Sequence, residues 1–406
     1  MAVVWVADVP ERERPQSFQT HLRLFDGKTW GPAIILSEDT RPDYFPSVAL
    51  DRDGKAVVVW VQSSKDNLKP DAALTTDLLQ SMDLAYTVVG TNGTVVKSGT
   101  LTDDSALDMT PHLAAGQDGT VWLAWQSNAS GSLSGSKEKP STVRVARWDG
   151  QAWSAPEQAY GDVTGPVEWH LAAYDSQKAT ILASLRSGDG AKVIAIEHGA
   201  SGWSTPASLQ WDAANPMRPQ VAYAPDGSRV AAWSSDSGVQ GIIGDLKAGA
   251  VTWFTDALSL EALTVGDGGS LSAVLSARVL DGRPDLMLAR TDQAGALWET
   301  PRGLIDNWTS GSQLSVAFDA SGGAKVLFAE PVATTEQRTL DNGQVLDVPG
   351  VPELANIRLV SAPDDRVPER TASRTGAGDM LPWLVGGGAA AVIVVLGAVL
   401  LLRRRA

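Results

Sequence analysis

Short apolar segments separated by polar turns recur along most of the chain. Within each segment, apolar and small residues alternate with the period of two residues that is typical of β-strands. Pairs of segments flank a tight turn that usually contains Asp-Gly, which tolerates the positive φ angles of short hairpins. These turns are Asp53-Gly54, Asp118-Gly119, Asp226-Gly227, Asp267-Gly268 and, in the last copy, Gly322-Gly323. The pattern therefore predicts a series of β-hairpins.

A second hairpin alternates with the first and carries a tryptophan just after its turn. The equivalent tryptophans are Trp30, Trp153, Trp203, Trp253 and Trp298, and residues 84–101 occupy the same place without one. Together the two hairpins form a module of four strands, here called A, B, C and D. Modules 2 to 6 contain all four strands, whereas module 1 starts at strand B and module 7 ends after strand C.

Four-stranded units that repeat at intervals of roughly 40–65 residues are typical of a β-propeller. The predicted fold class is therefore all-β, with about seven four-stranded blades over residues 1–361. The first blade lacks its innermost strand, which favours a truncated N-terminus. The alternative architecture is a row of β-sandwiches, but a sandwich needs about 100 residues per unit.

The second hairpin resembles a known turn. Asp26-Gly27-Lys28-Thr29-Trp30 and Asp149-Gly150-Gln151-Ala152-Trp153 are similar to degenerate Asp-boxes of sialidase-type propellers, without the leading serine of that motif. The resemblance implies that each box joins the third and fourth strands of a blade. Such repeats indicate architecture and do not establish an activity. The repeated tryptophans are accordingly predicted to pack the blades.

The C-terminal region predicts a membrane anchor. Residues 381–402 form an uncharged apolar segment of 22 residues, long enough for a helix of about 33 Å to cross a bilayer. Trp383 and the arginines at 403–405 flank it, and the positive-inside rule places residues 403–406 in the cytoplasm and the propeller outside the cell. Residues 362–380 are polar and predict a stalk. The alternative is a sorting signal that is cleaved during surface attachment.

Composition excludes several classes of function. The chain has no cysteine, so it cannot contain disulfides, thiolate nucleophiles or cysteine-ligated metals. Its net charge of −14 argues against a nucleic-acid partner. The four histidines show no metal-ligand spacing, and no cofactor or metal site is predicted. His112 and His170 occupy equivalent strand-A positions and are expected to approach each other in adjacent blades.

The loops between strands B and C differ in length between modules. They are long at residues 9–20, 63–82, 128–141 and 331–353, and they shrink to a few residues in modules 4 to 6. If the ring closes, the four long loops form a ridge over one side of one face. Long loops on a rigid scaffold are common binding sites. The alternative is that they are disordered padding.

The D–A loops on the same face supply the candidate ligand-binding residues. These are Arg41, Asp43, Tyr44, Asp108, Glu168, Trp169, His170, Arg218, Asn307 and Trp308. An aromatic face with hydrogen-bonding groups suits a sugar or a peptide. A sialidase would need three arginines, a tyrosine–glutamate pair and an acid. Arg41 and Arg218 are well placed, but nothing in the sequence pairs Tyr44 with Glu168.

These observations predict a membrane-anchored extracellular propeller that binds a glycan or a protein, and the sequence reveals no catalytic constellation. One alternative is a surface glycosidase of sialidase-like architecture. Another is a receptor or structural domain of a larger surface protein.

Overall fold

The computed structural model describes most of residues 1–361. The residues not described are 10–11, 14, 67, 69–74, 166, 188–189, 210–214, 247–248, 267–268, 279–283, 292–296, 306–313, 319–323, 332–334, 340–344, 350–354 and 362–406. The predicted stalk, membrane segment and cytoplasmic tail, and the candidate residues Asn307 and Trp308, therefore lie outside the described residues. Among the residues that are described, no helix is long and apolar enough to cross a membrane.

The first three modules form antiparallel sheets in which neighbouring strands follow chain order. Module 1 contains β1 (Ala2–Asp8), β2 (Phe18–Leu24) and β3 (Ile34–Ile35). Module 2 contains β4 (Asp43–Leu50), β5 (Ala56–Ser63), the short helix α1 (Thr76–Leu79), β6 (Met82–Val89) and β7 (Val95–Thr100). Module 3 contains β8 (Leu107–Ala115), β9 (Val121–Asn128), β10 (Ser141–Trp148) and β11 (Glu157–Val163).

The remaining modules repeat this meander. Module 4 has β12 (Val167–Ala173), β13 (Ala179–Ser187), β14 (Gly190–Gly199) and a fourth strand split into β15 (Gly202–Trp203) and β16 (Ala207–Leu209). Module 5 has β17 (Met217–Tyr223), β18 (Arg229–Ser235), β19 (Gly238–Ile243) and β20 (Val251–Phe254). Module 6 has β21 (Ala257–Val265), β22 (Leu271–Arg278), β23 (Pro284–Arg290) and β24 (Arg302–Ile305).

Among the described residues, the sheet of module 7 has three strands. Its sheet has the order β25 (Leu314–Phe318), β26 (Ala324–Pro331) and β29 (Ala355–Ser361). The long segment between its second and third strands contains a separate hairpin of β27 (Thr335–Thr339) and β28 (Val345–Pro349). Module 1 likewise has three strands and begins at the strand equivalent to B.

The sheets pack face to face in chain order, and a separate apolar cluster fills the space between each described pair of neighbours. For example, Val59 and Leu84 of module 2 pack with Leu123 and Trp125 of module 3. Strand A of each module from 2 to 7 contacts the innermost strand of the module before it. This is the blade arrangement of a β-propeller, with the core divided among the interfaces between blades.

The predicted turns form by the expected hydrogen bonds. In the Asp-box-like turns, Asp26 Oδ1 accepts from the backbone N–H groups of Lys28 and Thr29, each at 2.7 Å. Asp149 Oδ1 accepts equivalent bonds from Gln151 and Ala152, each at 2.8 Å. These donors lower the pKa of Asp26 and of Asp149. Because each carboxylate fixes the turn, the leading serine of the family motif is not needed for its geometry.

The tryptophans of strand B and of the second hairpin pack the blades. Trp122, Trp125, Trp148 and Trp233 are fully buried. Trp153, which follows an Asp-box-like turn, meets Tyr86 of the neighbouring module edge to face, with ring centroids 6.0 Å apart. The prediction that the tryptophan excess serves blade packing holds for these residues.

Candidate functional site

The described parts of three long B–C loops are joined into one surface, here called the loop ridge (the described residues among 9–17, 64–81 and 129–140). Gln16 Nε2 donates to the carbonyl of Leu68, which connects the loops of modules 1 and 2. Gln80 Nε2 donates to the carbonyl of Ala129 at 2.8 Å, which connects the loops of modules 2 and 3. The predicted contact between neighbouring loops is therefore present for these three modules. The loop of module 7 and its place in the ridge stay a prediction.

Apolar anchors hold the loop ridge to the blades below. Leu78 of α1 is 7% exposed and belongs to the core between modules 2 and 3. Leu68 and Leu133, from two different loops, pack against the same core. These anchors were not predicted from the sequence, although single leucines within polar loops are a signal that could have indicated them. The described parts of these loops are thus built into the fold, contrary to the alternative that they are padding.

The loop of module 3 has its own internal order. The side chain of Asn128 caps it, because Asn128 Oδ1 accepts from the N–H of Ser130 at 2.9 Å and of Ser132 at 3.2 Å. Gly131 has φ +65°, and a Cβ there would lie 2.8 Å from Cγ of Gln80. Glycine is therefore required both for the turn and for the close approach of the two loops.

The D–A loops of modules 2 and 3 lie at the same end of the sheets as the loop ridge. The first D–A loop (residues 37–43) and the second D–A loop (residues 102–108) have equivalent length and geometry. In both, an aspartate at the third position accepts from the backbone two residues later: Arg41 N to Asp39 at 3.0 Å, and Ala106 N to Asp104 at 2.9 Å. Asp43 and Asp108 therefore occupy equivalent positions at the beginning of strand A.

The first D–A loop satisfies its acidic side chains. Asp43 is fully buried and accepts from Thr20 N at 2.8 Å, from Gln62 Nε2 at 2.9 Å and from the hydroxyl of Ser37. Burial nevertheless raises the pKa of Asp43 to about 6. Arg41 neutralises Asp39 through Nε at 3.0 Å and Nη2 at 2.6 Å. Arg41 and Asp43 are thus parts of a structural network.

The second D–A loop forms an acidic cluster, defined here as Asp83, Asp104 and Asp108. One carboxylate oxygen from each of the three lies within 4.8 Å of the others. Burial raises the pKa of Asp83 to about 7, with a further contribution from the charge of Asp108. Burial also raises the pKa of Asp108. Asp83 comes from strand C of module 2, so the cluster bridges two blades beneath the loop ridge.

Sequence reasoning identified Asp108 but missed Asp83. Asp83 lies at a fully buried position of β6, within an apolar strand that carries no motif. Its pairing opposite Gln62 brings it to the end of the sheet where the D–A loops lie. An aspartate at an inward-facing strand position is a weak signal, and nothing in the sequence links it to residues about 20 positions later in the chain.

Of two further candidates, Trp169 is buried and His170 is half-buried between the blades. Trp169 is 7% exposed, and its ring packs against His112 with centroids 4.5 Å apart. His170 Nδ1 accepts from the N–H of Val221 in the next blade at 3.4 Å. Burial lowers the pKa of His112 and of His170 to about 4, and the two rings also interact electrostatically. The expected approach of the two histidines is therefore present.

Glu168 and Arg218 meet at the junction of modules 4 and 5. Arg218 donates its backbone N–H to Glu168 at 2.6 Å, and its guanidinium pairs with Glu261 of module 6. Arg218 precedes a proline and has φ +50°, as Phe45 and Thr110 do at φ 49° and 52° in strand A of modules 2 and 3. These left-handed residues mark bulges that redirect the start of strand A.

Tyr44 is separated from this group along the ring of modules. Its ring meets Phe18 edge to face, with centroids 5.9 Å apart, and it packs against the core between modules 2 and 3. Burial and the charge of Asp43 raise the pKa of Tyr44. Tyr44 and Glu168 contact different partners, so these two residues do not form the tyrosine–glutamate pair of the sialidase type.

Comparison with solved structures finds propellers of low sequence identity. "Hadza microbial sialidase Hz136" has 13% identity and a TM-score of 0.46, with 77% of this chain and 71% of that chain covered. The α-L-arabinanase of Penicillium chrysogenum in complex with arabinobiose has 14% identity and a TM-score of 0.43, with 71% and 88% covered. AofleA from Arthrobotrys oligospora has 10% identity and a TM-score of 0.43, with 79% and 88% covered.

No protein-family profile matches the sequence, and no curated protein matches it. The structural neighbours include sialidase and arabinanase-type propellers, in keeping with the resemblance of the Asp-box-like turns. At these TM-scores the likeness carries no argument about ligand or activity. The site itself must therefore supply the functional argument.

Proposed function

We propose that this protein is a binding module whose loop ridge contacts a protein partner. The observation that carries the proposal is the hydrogen bonding that joins the loops of modules 1, 2 and 3. Maintaining long loops in one arrangement costs conformational entropy, and interloop bonds with buried leucine anchors offset that cost. A preorganised surface of this kind loses less entropy when it binds.

The chemistry of the ridge favours a protein partner over a glycan. Residues 9–17, 64–81 and 129–140 contain no phenylalanine, tyrosine or tryptophan, so the ridge offers no aromatic platform on which a sugar could stack. Basic and acidic side chains are interspersed along it, including Lys65, Asp77, Lys137 and Glu138. Mixed charges select a partner with the complementary pattern and steer its approach.

Two observations favour binding over a sialidase-type glycosidase. The two candidate arginines are paired, Arg41 with Asp39 and Arg218 with Glu261, so neither is free to clamp a substrate carboxylate. Asp83 and Asp108 of the second D–A loop's acidic cluster are 6% and 0% exposed and lie beneath the ridge. A glycosidase needs its two carboxyl groups on either side of the scissile bond.

The location follows from the sequence and is part of the same proposal. An anchor at residues 381–402 and a stalk at 362–380 would hold the propeller outside the cell, above the membrane. A role as one domain of a larger surface receptor is compatible with this placement. In either case the ridge would face partners in the extracellular space.

The test is a binding screen with the full chain in detergent micelles or nanodiscs, against surface proteins and, in parallel, a glycan array. For a protein that binds, affinity is then compared between the ridge variant Lys137→Glu and the control Lys28→Glu. Both lysines are exposed, but Lys28 lies in a C–D turn at the opposite end of the sheets. We expect Lys137→Glu to weaken binding roughly tenfold and Lys28→Glu to leave it unchanged.

Three outcomes would count against the proposal. Unchanged affinity in Lys137→Glu and in Gln80→Ala would remove the ridge from the binding surface. A loss confined to Lys28→Glu would move the site to the opposite face. Selective binding of glycans, without any protein partner, would show that the ligand is a glycan and not a protein.

A further inference from the structure

The acidic cluster brings three carboxylates together, and the donors to its buried members are neutral: Asp108 accepts from Trp125, Thr102 and Ser127, and Asp83 accepts from the backbone of Asp104. Asp83 and Asp108 are buried, and Asp104 lies at the outer side with its side chain 47% exposed. Among the described residues, the ion pair recorded for the cluster is Arg144 with Asp104 at 3.2 Å. One guanidinium at the edge leaves an excess of negative charge in a buried place, which is costly unless it is compensated.

Two of these carboxylates also have an oxygen without a hydrogen-bond partner. Asp83 Oδ1 and Asp108 Oδ2 are both inaccessible to solvent and unpartnered. The other oxygen of Asp108 accepts from Trp125 Nε1 at 2.9 Å, which fixes the orientation of the group. Buried polar atoms in folded proteins are almost always satisfied, so an unpartnered oxygen on each of two clustered, buried carboxylates points to a missing positive partner.

The first D–A loop shows which side chains compensate an aspartate at the equivalent position. In the first D–A loop, Arg41 supplies a positive charge and Gln62 supplies an amide donor. The equivalent positions in the second loop are Ala106 and Ser127, so the loop's own arginine is replaced by Arg144 of strand β10, and the amide by a serine hydroxyl that bonds to Asp108. A third carboxylate, Asp83, stands where module 1 has Gln19. An amide donor is therefore lost and a carboxylate is gained, and both changes make the second loop more receptive to a cation.

We propose that Asp83, Asp104 and Asp108 bind a calcium ion between modules 2 and 3. Calcium is coordinated by oxygen ligands at about 2.3–2.6 Å, so oxygens on opposite sides of one ion lie about 5 Å apart. Carboxylate oxygens within 4.8 Å of one another fit around such an ion. Two buried ligands and one exposed ligand leave the outer side open for water and for entry of the ion.

The site would connect the ion to the loop ridge. Leu78, Met82 and Leu107 belong to one apolar cluster, and Asp83 and Asp108 directly follow the last two of these residues in the chain. A calcium ion would therefore clamp the start of strand C in module 2 to the start of strand A in module 3. Both strand ends lie below the ridge loops of these modules. This proposal does not depend on the identity of the ridge partner.

The experiment uses the full chain after removal of divalent ions with EDTA, at pH 7.5. Calcium is added, and binding is followed by calorimetry and by the shift in Tm. A second measurement uses Tb³⁺, an ion that substitutes for calcium and luminesces when a nearby tryptophan is excited. Trp125 is bonded to Asp108 and is thus placed to sensitise it. We expect one calcium ion per chain, a higher Tm and terbium luminescence that calcium displaces.

The variants make the test specific. Asp108→Asn and Asp104→Asn should each weaken calcium binding roughly tenfold or more, because ligand charge sets affinity in such sites. Asp104 is exposed, so Asp104→Asn tests the site even if Asp108→Asn fails to fold. Asp43→Asn is the matched control: it alters the equivalent buried aspartate and should keep the calcium response of the wild type.

The proposal is overturned if the wild-type chain shows neither heat nor a Tm shift with calcium and no sensitised terbium signal, since a proton would then be the compensating cation. It is also overturned if Asp104→Asn responds like the wild type. An equal loss of calcium binding in Asp43→Asn would place the ion elsewhere.

Discussion

The two D–A loops have the same backbone geometry but different electrostatics. In the first, Asp43 is surrounded by donors, and Arg41 pairs with Asp39. In the second, Arg144 pairs with Asp104 from outside the loop, and Asp108 faces a further buried carboxylate, Asp83. The difference teaches that a repeated fold fixes where a carboxylate lies, while a few neighbouring side chains decide whether it serves packing or binds a ligand.

The largest expected effect comes from removing the central aspartate of the first loop. Asp43→Ala removes the nearest acceptor of the Thr20 N–H and of the Gln62 amide, whose other acceptors lie 3.4–3.5 Å away. It should lower the free energy of unfolding by about 3–4 kcal/mol at pH 7. Asp108→Ala, measured in EDTA, should cost only about 1–2 kcal/mol, because relief of carboxylate repulsion offsets the loss of the bond from Trp125. Urea unfolding of both variants provides the comparison, and equal losses would contradict it.

The second prediction uses the titration of Asp43. Its pKa is about 6 in the folded protein against 3.8 normally, so between pH 4 and 6 the unfolded chain has released a proton that the folded chain retains. Stability contributed by this group therefore falls as the pH rises through that range, by at most about 3 kcal/mol.

Asp43→Asn should remove this component of the pH dependence. The measurement is the difference between wild-type and variant unfolding free energies at several pH values from 4 to 7. A difference that does not change with pH would show that Asp43 ionises normally. Asp53→Asn is a suitable control, because Asp53 lies in an exposed turn on the opposite face and its pKa is lowered by Lys55.

The third prediction concerns a variant in which side chains of the second D–A loop are replaced by those found in the first. The double variant Asp83→Gln with Ala106→Arg gives the second loop the neighbours of the first. It should raise the free energy of unfolding in EDTA by about 1–2 kcal/mol, since an arginine then pairs with the remaining carboxylates. It should also abolish any calcium response. Unfolding curves with and without calcium check both effects, and a retained response would indicate that other ligands hold the ion.

The smallest expected effect concerns the loop ridge above the second loop. Gly131→Ala should lower stability by about 1 kcal/mol more than Gly27→Ala, because both glycines have positive φ but only the Cβ at 131 meets a neighbour. That neighbour is Cγ of Gln80 at 2.8 Å, whereas nothing lies within 4 Å at Gly27. Thermal unfolding compares the two variants. Equal losses of stability in the two variants would mean that the ridge loops accommodate the added Cβ without a loss of free energy.

Much of the fold follows from local sequence signals. The alternation of apolar residues and the Asp-Gly turns locate strands A to D. Strands β4, β8 and β17 begin one to three residues before the repeats that start at Phe45, Thr110 and Arg218. The incomplete first and last blades are also visible in the repeats. These features are predictable because strand period and turn chemistry depend on residues that are close in the chain.

The candidate site was only partly predictable. Asp43, Asp108, Arg41 and Arg218 were recognised as residues of one face, but their partners were not. Asp39 neutralises Arg41, and Glu261 neutralises Arg218. Trp169 was a candidate for ligand contact, yet its ring packs against His112. Such pairings depend on which blades meet, and residue types alone do not reveal them.

By itself, therefore, the sequence determined the repeated four-stranded module, the order of the blades and the face that carries the long loops. Only the tertiary structure decided which side chains meet between blades: the leucines that hold the ridge, the donors that surround Asp43, and the approach of Asp83 to Asp108. The physical reason is that strand period and turn geometry are local properties, whereas burial and electrostatic compensation arise between segments that are distant in the chain.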